Sequence, residues 1–436
     1  MTRHTRRGAL AAGASTLAAL AGCSSLPFTG SDDDSPPAYD ALALGDAVGS
    51  EAVETPETYP GPVPRSLLAT HRDRTEALLG SVPEAPTVPN EAVADRLRER
   101  RERVAERASE PTTDNPTLAD VADRRYTRED AAEVAFAFRA ATGALRPTDV
   151  ETRRLAVRDD YRTAHSEVAY VGEDAVDALA VGFELESEFA DARESLSPDG
   201  AVPERPQAAP FRAGEVAASV EAVRAHLDTV AGLRDSHRRP EMTDYWTDIA
   251  VAAGGLNEAR RATTERVAPF LFDDPEPRDV LNGDAANTTA VELLRFGQVA
   301  ASNAEESVAN ARGRGDYATA VVDTARALVD TLATGRAVDA IRDGAVSAPA
   351  DTAAVVAERD AAVDALREAT ATAPSRLAAL TAAPTVRRFQ YADERLSEDP
   401  SDRTVVRESA RLTYVSYAAE AVPSVVDRVA RELGVE

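Results

Sequence analysis

Beyond position 23, the residues best suited to chemistry are four histidines, His71, His165, His226 and His237, and a carboxylate stripe, Asp177, Glu184, Glu188 and Asp191. On one helix, spacings of 7, 4 and 3 would put the four carboxylates on a common face, where they could hold a divalent cation or serve as acid and base. In so acidic a chain the favoured reading is the hydrated outer face of a helix. The histidines lack metal spacing. None lies in an HExxH pattern, and no Glu-x-x-His pair of the di-iron kind occurs. His226 and His237 on a single helix would stand about 16 Å apart, too far to share a metal. No catalytic residue, metal ligand or cofactor is therefore assigned.

Composition removes further classes. The 436 residues contain 49 basic side chains, all arginine, against 75 Asp and Glu, for a net charge of −26. Without lysine there is no P-loop clamp, Schiff base or Ser-x-x-Lys nucleophile. A single cysteine excludes an intramolecular disulfide, a thiolate cluster and a CxxC pair. The acidic excess disfavours nucleic acid, whose phosphates need a basic face.

One segment runs against this charge. Asp95 to Arg107 carries six arginines and four acids. Its bland reading is a solvated helix laced by i,i+4 pairs such as Glu99 with Arg103, each worth a few tenths of a kcal/mol. Its functional reading is a partner-docking face formed by Arg96, Arg100, Arg101, Arg103 and Arg107. Met242, Tyr245, Trp246 and Ile249 share a helical face and are expected in a core, as are Phe389, Tyr391, Tyr414 and Tyr417.

The elements that must position these groups read as helices throughout. Val216, Val220, Val223, Leu227 and Val230 follow a 4-3-4-3 spacing, and Val134, Phe138, Ala141 and Leu145 repeat its 4-3-4 part. Thr127 with Asp130 resembles a capping box. Gly80 followed by Pro83 ends a helix. No alternating strand pattern with hairpin turns is evident. The expected fold is all-α, about a dozen helices between Val63 and Leu433 in a multi-helix bundle or irregular α-α array. Proline-rich loops at 197–211 and 269–283 mark boundaries. The expected organisation is a signal segment at 1–22, a tether at 23–62, and helical parts at 63–196 and 212–436, the latter two either separate or continuous.

The N-terminus carries an address. Thr5-Arg6-Arg7-Gly8-Ala9-Leu10 resembles a twin-arginine export motif. A short apolar stretch follows and ends in Leu20-Ala21-Gly22-Cys23, which resembles a lipobox, with Cys23 the lipidated residue. Asp32-Asp33-Asp34, just beyond, reads as part of a solvated tether. The resemblance implies export and attachment to the outer face of the cytoplasmic membrane. Removal of the signal would leave −29, since three arginines leave with it. Acidity with arginine in place of lysine resembles proteins of extremely halophilic archaea. At molar salt the Debye length is about 3 Å, so self-repulsion is screened and folding should depend on salt. Asn287-Thr288-Thr289 is a glycosylation sequon. Gly315-Asp316-Tyr317, Ala320, Ala327 and Leu328 are similar to half of a tetratricopeptide repeat, although an ordinary helical hairpin explains them better. The functional expectation is a lipid-anchored helical binding or scaffold lipoprotein with a protein partner at the cell surface and no nucleic acid. The alternative is an exported hydrolase or metal-dependent enzyme using carboxylates with a histidine, marked by a His within about 5 Å of two carboxylates in a concave pocket.

Overall fold

In the computed structural model, which describes residues 39–435 apart from 51–52, 112, 198–199, 272–287 and 399–400, the chain is all-α. Thirteen α-helices occur among the described residues: α1 Ala41–Ser50, α2 Arg65–Gly80, α3 Glu91–Ala108, α4 Leu118–Ala141, α5 Pro147–Ser166, α6 Ala175–Leu196, α7 Pro210–His237, α8 Trp246–Leu271, α9 Thr288–Arg314, α10 Tyr317–Arg342, α11 Thr352–Ala371, α12 Ser375–Glu398 and α13 Asp402–Glu432. Two two-residue strands, β1 Val171–Gly172 and β2 Thr243–Asp244, pair antiparallel.

Local signals set the helix starts. Asn90 caps α3 by accepting from the Val93 N–H, and Asp174 caps α6 by accepting from the Asp177 N–H. A capping box begins α4, but at Thr117 and Asp120 rather than at Thr127 and Asp130. Thr127 lies inside α4, where its hydroxyl donates to the Asp123 carbonyl one turn back. The same Thr-x-x-Asp pattern occurs ten residues apart, and the proline-bounded copy starts the helix.

Two hydrophobic clusters organise the helices. The first is built from α2 to α7, with Leu67, Leu97, Phe136, Val157, Phe189 and Leu233 inside. The second is built from α8 to α13, with Leu256, Leu294, Val321, Phe389, Tyr414 and Val426 inside. Helix α6 serves both: Val176 and Leu179 face the second, while Leu185 and Phe189 face the first. The β1–β2 pair joins the clusters, tying the approach to α6 to the approach to α8. The proline-rich loop before Phe211 does not part them, because α7 packs against α4 and α6. Residues 39–436 form one compact unit.

Small residues set how closely α4 and α7 approach. A Cβ at Gly214 would lie 2.7 Å from the Ala137 nitrogen and 2.8 Å from the Glu133 carbonyl oxygen. Backbone cannot swing aside as a side chain can, so Gly214→Ala should destabilise by about 1–3 kcal/mol despite alanine's better helix propensity. Gly254→Ala in α8, where nothing lies within 4 Å of the new methyl, should be neutral or stabilising. Urea denaturation of the two variants checks this. Equal stability of both would contradict the close approach.

Several expectations are corrected. Part of the expected tether is pinned to the helical body. The Tyr39 hydroxyl donates to Pro349 O at 2.9 Å, Leu44 is buried, Gln390 donates to Val53 O at 2.8 Å, and the Tyr59 hydroxyl donates to Leu233 O at 3.0 Å. Trp246 is 48% exposed, packed edge-on against Tyr317 rather than in a core, because it opens α8 at the joint instead of sitting mid-helix. Tyr391 is likewise 48% exposed, whereas Phe389 and Tyr414 are buried. The repeat-like residues belong to one hairpin of α9 and α10, whose 27 and 26 residues exceed a 34-residue repeat unit.

Candidate functional site

Within the first cluster, α2, α4 and α7 bring charges together where apolar residues would ordinarily pack. Arg74 donates from Nε and Nη2 to the two oxygens of Glu221, each at 2.8 Å. From the opposite side Arg128 donates to Glu221 Oε1 from Nε at 2.9 Å and from Nη2 at 2.7 Å. Arg128 Nη1 reaches Asp228 at 2.7 Å and His71 Nδ1 at 3.3 Å. Burial pushes the Glu221 carboxyl up, but the bonds from Arg74 and the charge of Arg128 outweigh it and hold it at about 2.

The same network fixes the state of His71. Thr229 donates its hydroxyl proton to Ala225 O, so it accepts from His71 Nε2 at 3.1 Å. Nδ1 is then the acceptor facing Arg128. Burial first, then the charges of Arg128 and Arg125, push the imidazole down to about 3. His71 is thus a neutral strut between α2, α4 and α7.

Beside this network lies a cleft of about 540 Å³ walled by α2, α4, α5 and α7. Arg74, Arg139, Arg153 and Arg224 line it, with Glu221 at its inner edge and Leu78, Phe136 and Val220 supplying apolar wall. Glu221 is already held by two arginines. The cleft is therefore locally basic in a strongly acidic protein.

Three of the four carboxylates on the α6 stripe, Asp177, Glu184 and Glu188, turn toward the body of the chain, contrary to a hydrated outer face. Asp177 is buried and accepts from the Glu173 N–H at 3.1 Å and from Arg376 at 3.1 Å. Glu184 accepts from the Thr58 hydroxyl at 2.5 Å. Glu188 accepts from Arg125 Nη1 at 2.5 and 2.6 Å and lies 2.7 Å from His226 Nδ1. Burial pushes Glu188 up, and His226 with Arg125 pull it net below the usual range. Asp191 is exposed. Asp177, Glu184 and Glu188 point to separate partners, because α6 is enclosed by both clusters and each of these three finds its own cation or donor. Among the described residues, no group of three or more His, Cys, Asp or Glu side chains is placed to hold a metal ion.

The other histidines are tied in as well. His226 Nε2 stands 4.0 Å from Glu129, so this imidazole lies near two carboxylates, but it is buried and does not line the cleft between α2, α4, α5 and α7. His237 Nε2 bonds to Val171 O at 3.1 Å at the joint. His165 bonds to Asp316 at 3.1 Å, while Arg314 donates to the other oxygen of Asp316 at 2.6 Å.

The arginines of α3 turn largely toward the chain itself. Arg96 and Arg100 stand 4.5 and 5.1 Å over the Phe211 ring. Arg101 donates to Val82 O at 3.0 Å, and Arg107 to Asp130 at 2.5 Å. Arg103 pairs with Glu99 on the same helix at 2.6 Å. They fasten α3 to α4 and to the start of α7. Arg6, Arg7, Leu20, Ala21, Gly22, Cys23, the Asp32–Asp34 triplet and Asn287 lie outside the described residues.

The basic cleft is not apparent along the sequence, since its arginines lie on four helices. The ionic network did leave a trace. Val121, Arg125, Arg128 and Ala132 repeat at 4, 3 and 4, placing two arginines on an apolar stripe, where a charge must find a buried partner.

Comparison with known families divides the chain at the joint. Residues 66–244 match a family model described as a domain of unknown function (DUF8262). Residues 246–431 match a second, also a domain of unknown function (DUF8264). The break falls at Tyr245. It coincides with the change of hydrophobic cluster and with β2, so each match coincides with one packed group of helices. No curated protein and no solved structure matches the chain.

Proposed function

We propose that the chain is an exported, lipid-anchored helical binding protein on the outer face of the cytoplasmic membrane. The observation that carries this reading is the sequence from Thr5 to Cys23, with Arg6-Arg7 ahead of a short apolar stretch and Leu20-Ala21-Gly22-Cys23 at its end. In support, no helix among the described residues is long and apolar enough to cross a membrane. The acidic, lysine-free surface suits a halophilic setting.

Binding rather than catalysis is favoured by how the reactive side chains are spent. His71 is a neutral donor and acceptor inside the network, and the Glu188 carboxylate beside His226 is taken up by Arg125. A second reading, a hydrolase built on His226, Glu188 and Glu129, rests on the closeness of those three groups alone.

Cys23→Ser should release the protein from membranes into the soluble fraction after a high-salt wash. A variant that stays membrane-bound would contradict the anchor. A saturable hydrolysis lost in His226→Gln would favour the second reading over the first.

A further inference from the structure

We propose that the arginine cleft between α2, α4, α5 and α7 is a binding site for a phosphoryl-bearing ligand. This inference rests on the binding reading and gives it a ligand class.

In most buried or half-buried places the chain's arginines are matched to carboxylates: Arg388 to Asp330 at 2.5 and 2.9 Å, Arg359 to Asp393 at 2.9 and 3.0 Å, and Arg125 to Glu188. Acids outnumber arginines by 26, so a carboxylate is rarely far to seek. Arg139, Arg153 and Arg224 depart from this pattern. All three line the cleft, each is only partly exposed, and none has a side-chain hydrogen bond or ion pair among the described residues. Arg139 rests over the Phe136 ring at 5.5 Å. The fourth arginine, Arg74, is held by Glu221, which Arg128 also neutralises from behind.

A second hollow shows the contrast. It measures about 330 Å³ between α8 and α10 and is lined by Arg266, Arg336 and Arg342; Arg336 pairs with Glu420, Arg342 lies 3.9 Å from Asp339, and Arg266 is exposed. There two of the three guanidinium groups are met by carboxylates of the chain, and one of those carboxylates, Asp339, lines the hollow itself. In the larger cleft the charge is left for something else.

The ligand chemistry follows from the donors. Three guanidinium groups offer planar forks that match the paired oxygens of phosphate. Such bidentate bonds are short-ranged, so they persist in molar salt where diffuse attraction is screened. The cleft's volume suits a small organic molecule, and Leu78, Phe136 and Val220 can cover an apolar or ring portion of it. The α2–α4–α7 network behind the cleft fixes Arg74 and Glu221, so the inner wall is set before a ligand arrives.

The test is calorimetric titration of the full chain carrying Cys23→Ser with inorganic pyrophosphate in molar KCl, and with succinate as a carboxylate control. Pyrophosphate should bind saturably and more tightly than succinate. Arg139→Gln, Arg153→Gln and Arg224→Gln should each weaken it about ten-fold, and the triple variant should abolish it. Helical circular dichroism should stay unchanged, because none of the three makes a side-chain hydrogen bond or ion pair within the described residues. Co-sedimentation with phosphatidic acid vesicles, against neutral phospholipid vesicles, distinguishes a lipid headgroup from a free phosphate compound. Cleft-dependent binding in either arm supports the site. Absence of binding in both, binding unaffected by the triple variant, or equal affinity for succinate would overturn it. Failure here leaves the Cys23 result standing, and release by Cys23→Ser does not depend on the cleft.

Discussion

Glu221→Ala should cost the fold about 3–5 kcal/mol, the largest loss expected from any single side chain in the first group of helices. Glu221 and Arg128 are both almost completely buried, and Glu221 receives four hydrogen bonds from two guanidinium groups. Removing it strands Arg128 away from water, with Asp228 as its remaining charged partner and a neutral imidazole beside it. A buried ion pair adds little net stability compared with a well-packed apolar pair, but breaking one is expensive because an uncompensated charge remains. Asp228→Ala should therefore be mild, about 1 kcal/mol or less, since that carboxylate is 44% exposed. The double change Glu221→Leu with Arg128→Met should recover much of the loss. Urea denaturation in molar KCl measures all three. A Glu221→Ala variant within about 1 kcal/mol of the parent would show that the network contributes little.

Mild acid should destabilise the protein through His71, and His71→Gln should remove that sensitivity. The His71 imidazole is held at about 3, far below its ordinary 6.5. The unfolded chain therefore takes up a proton that the folded chain refuses. The stability linked to His71 is fully present above pH 6.5 and is lost as pH falls from there toward 3. One proton is worth about 1.4 kcal/mol per pH unit, so lowering pH from 6.5 to 5 should remove about 2 kcal/mol through this group. Glu221, held at about 2, acts in a lower window: its contribution is present above about 4.5 and is lost as pH falls toward 2. Stability of the parent and of His71→Gln between pH 7.5 and 5 tests the assignment. The two curves should diverge by about 2 kcal/mol as pH falls. Parallel curves would mean that His71 is not held neutral.

The helices were legible because their signals are local. The valine stripe from Val216 to Val230 lies on α7, and Gly80 closes α2. Errors arose where a local pattern had two outcomes. Thr127 and Asp130 spell a capping box as well as Thr117 and Asp120 do, and only the proline at 116 and the turn before it favour the earlier copy. Trp246 suits a core by residue type, yet it falls on the first turn of α8, where few neighbours can cover it.

The site was much harder to read. Asp177, Glu184 and Glu188 looked solvated because acids abound, and nothing in α6 announces that it is enclosed on two sides by separate clusters. Arg74, Arg139, Arg153 and Arg224 lie as much as 150 positions apart. Their juxtaposition is a product of helix packing, which sequence spacing does not encode. The arginine-rich α3 drew attention by density, while its arginines are engaged with Phe211, Val82, Asp130 and Glu99.

The most direct test of the account is a crystal structure of the full chain, carrying Cys23→Ser, grown in molar KCl with pyrophosphate. The account predicts pyrophosphate in the cleft, its oxygens within hydrogen-bond distance of at least two of Arg139, Arg153 and Arg224, with Arg74 and Arg128 still on Glu221. Pyrophosphate bound elsewhere with those three arginines unengaged, or carboxylates of the chain itself filling the cleft, would contradict it.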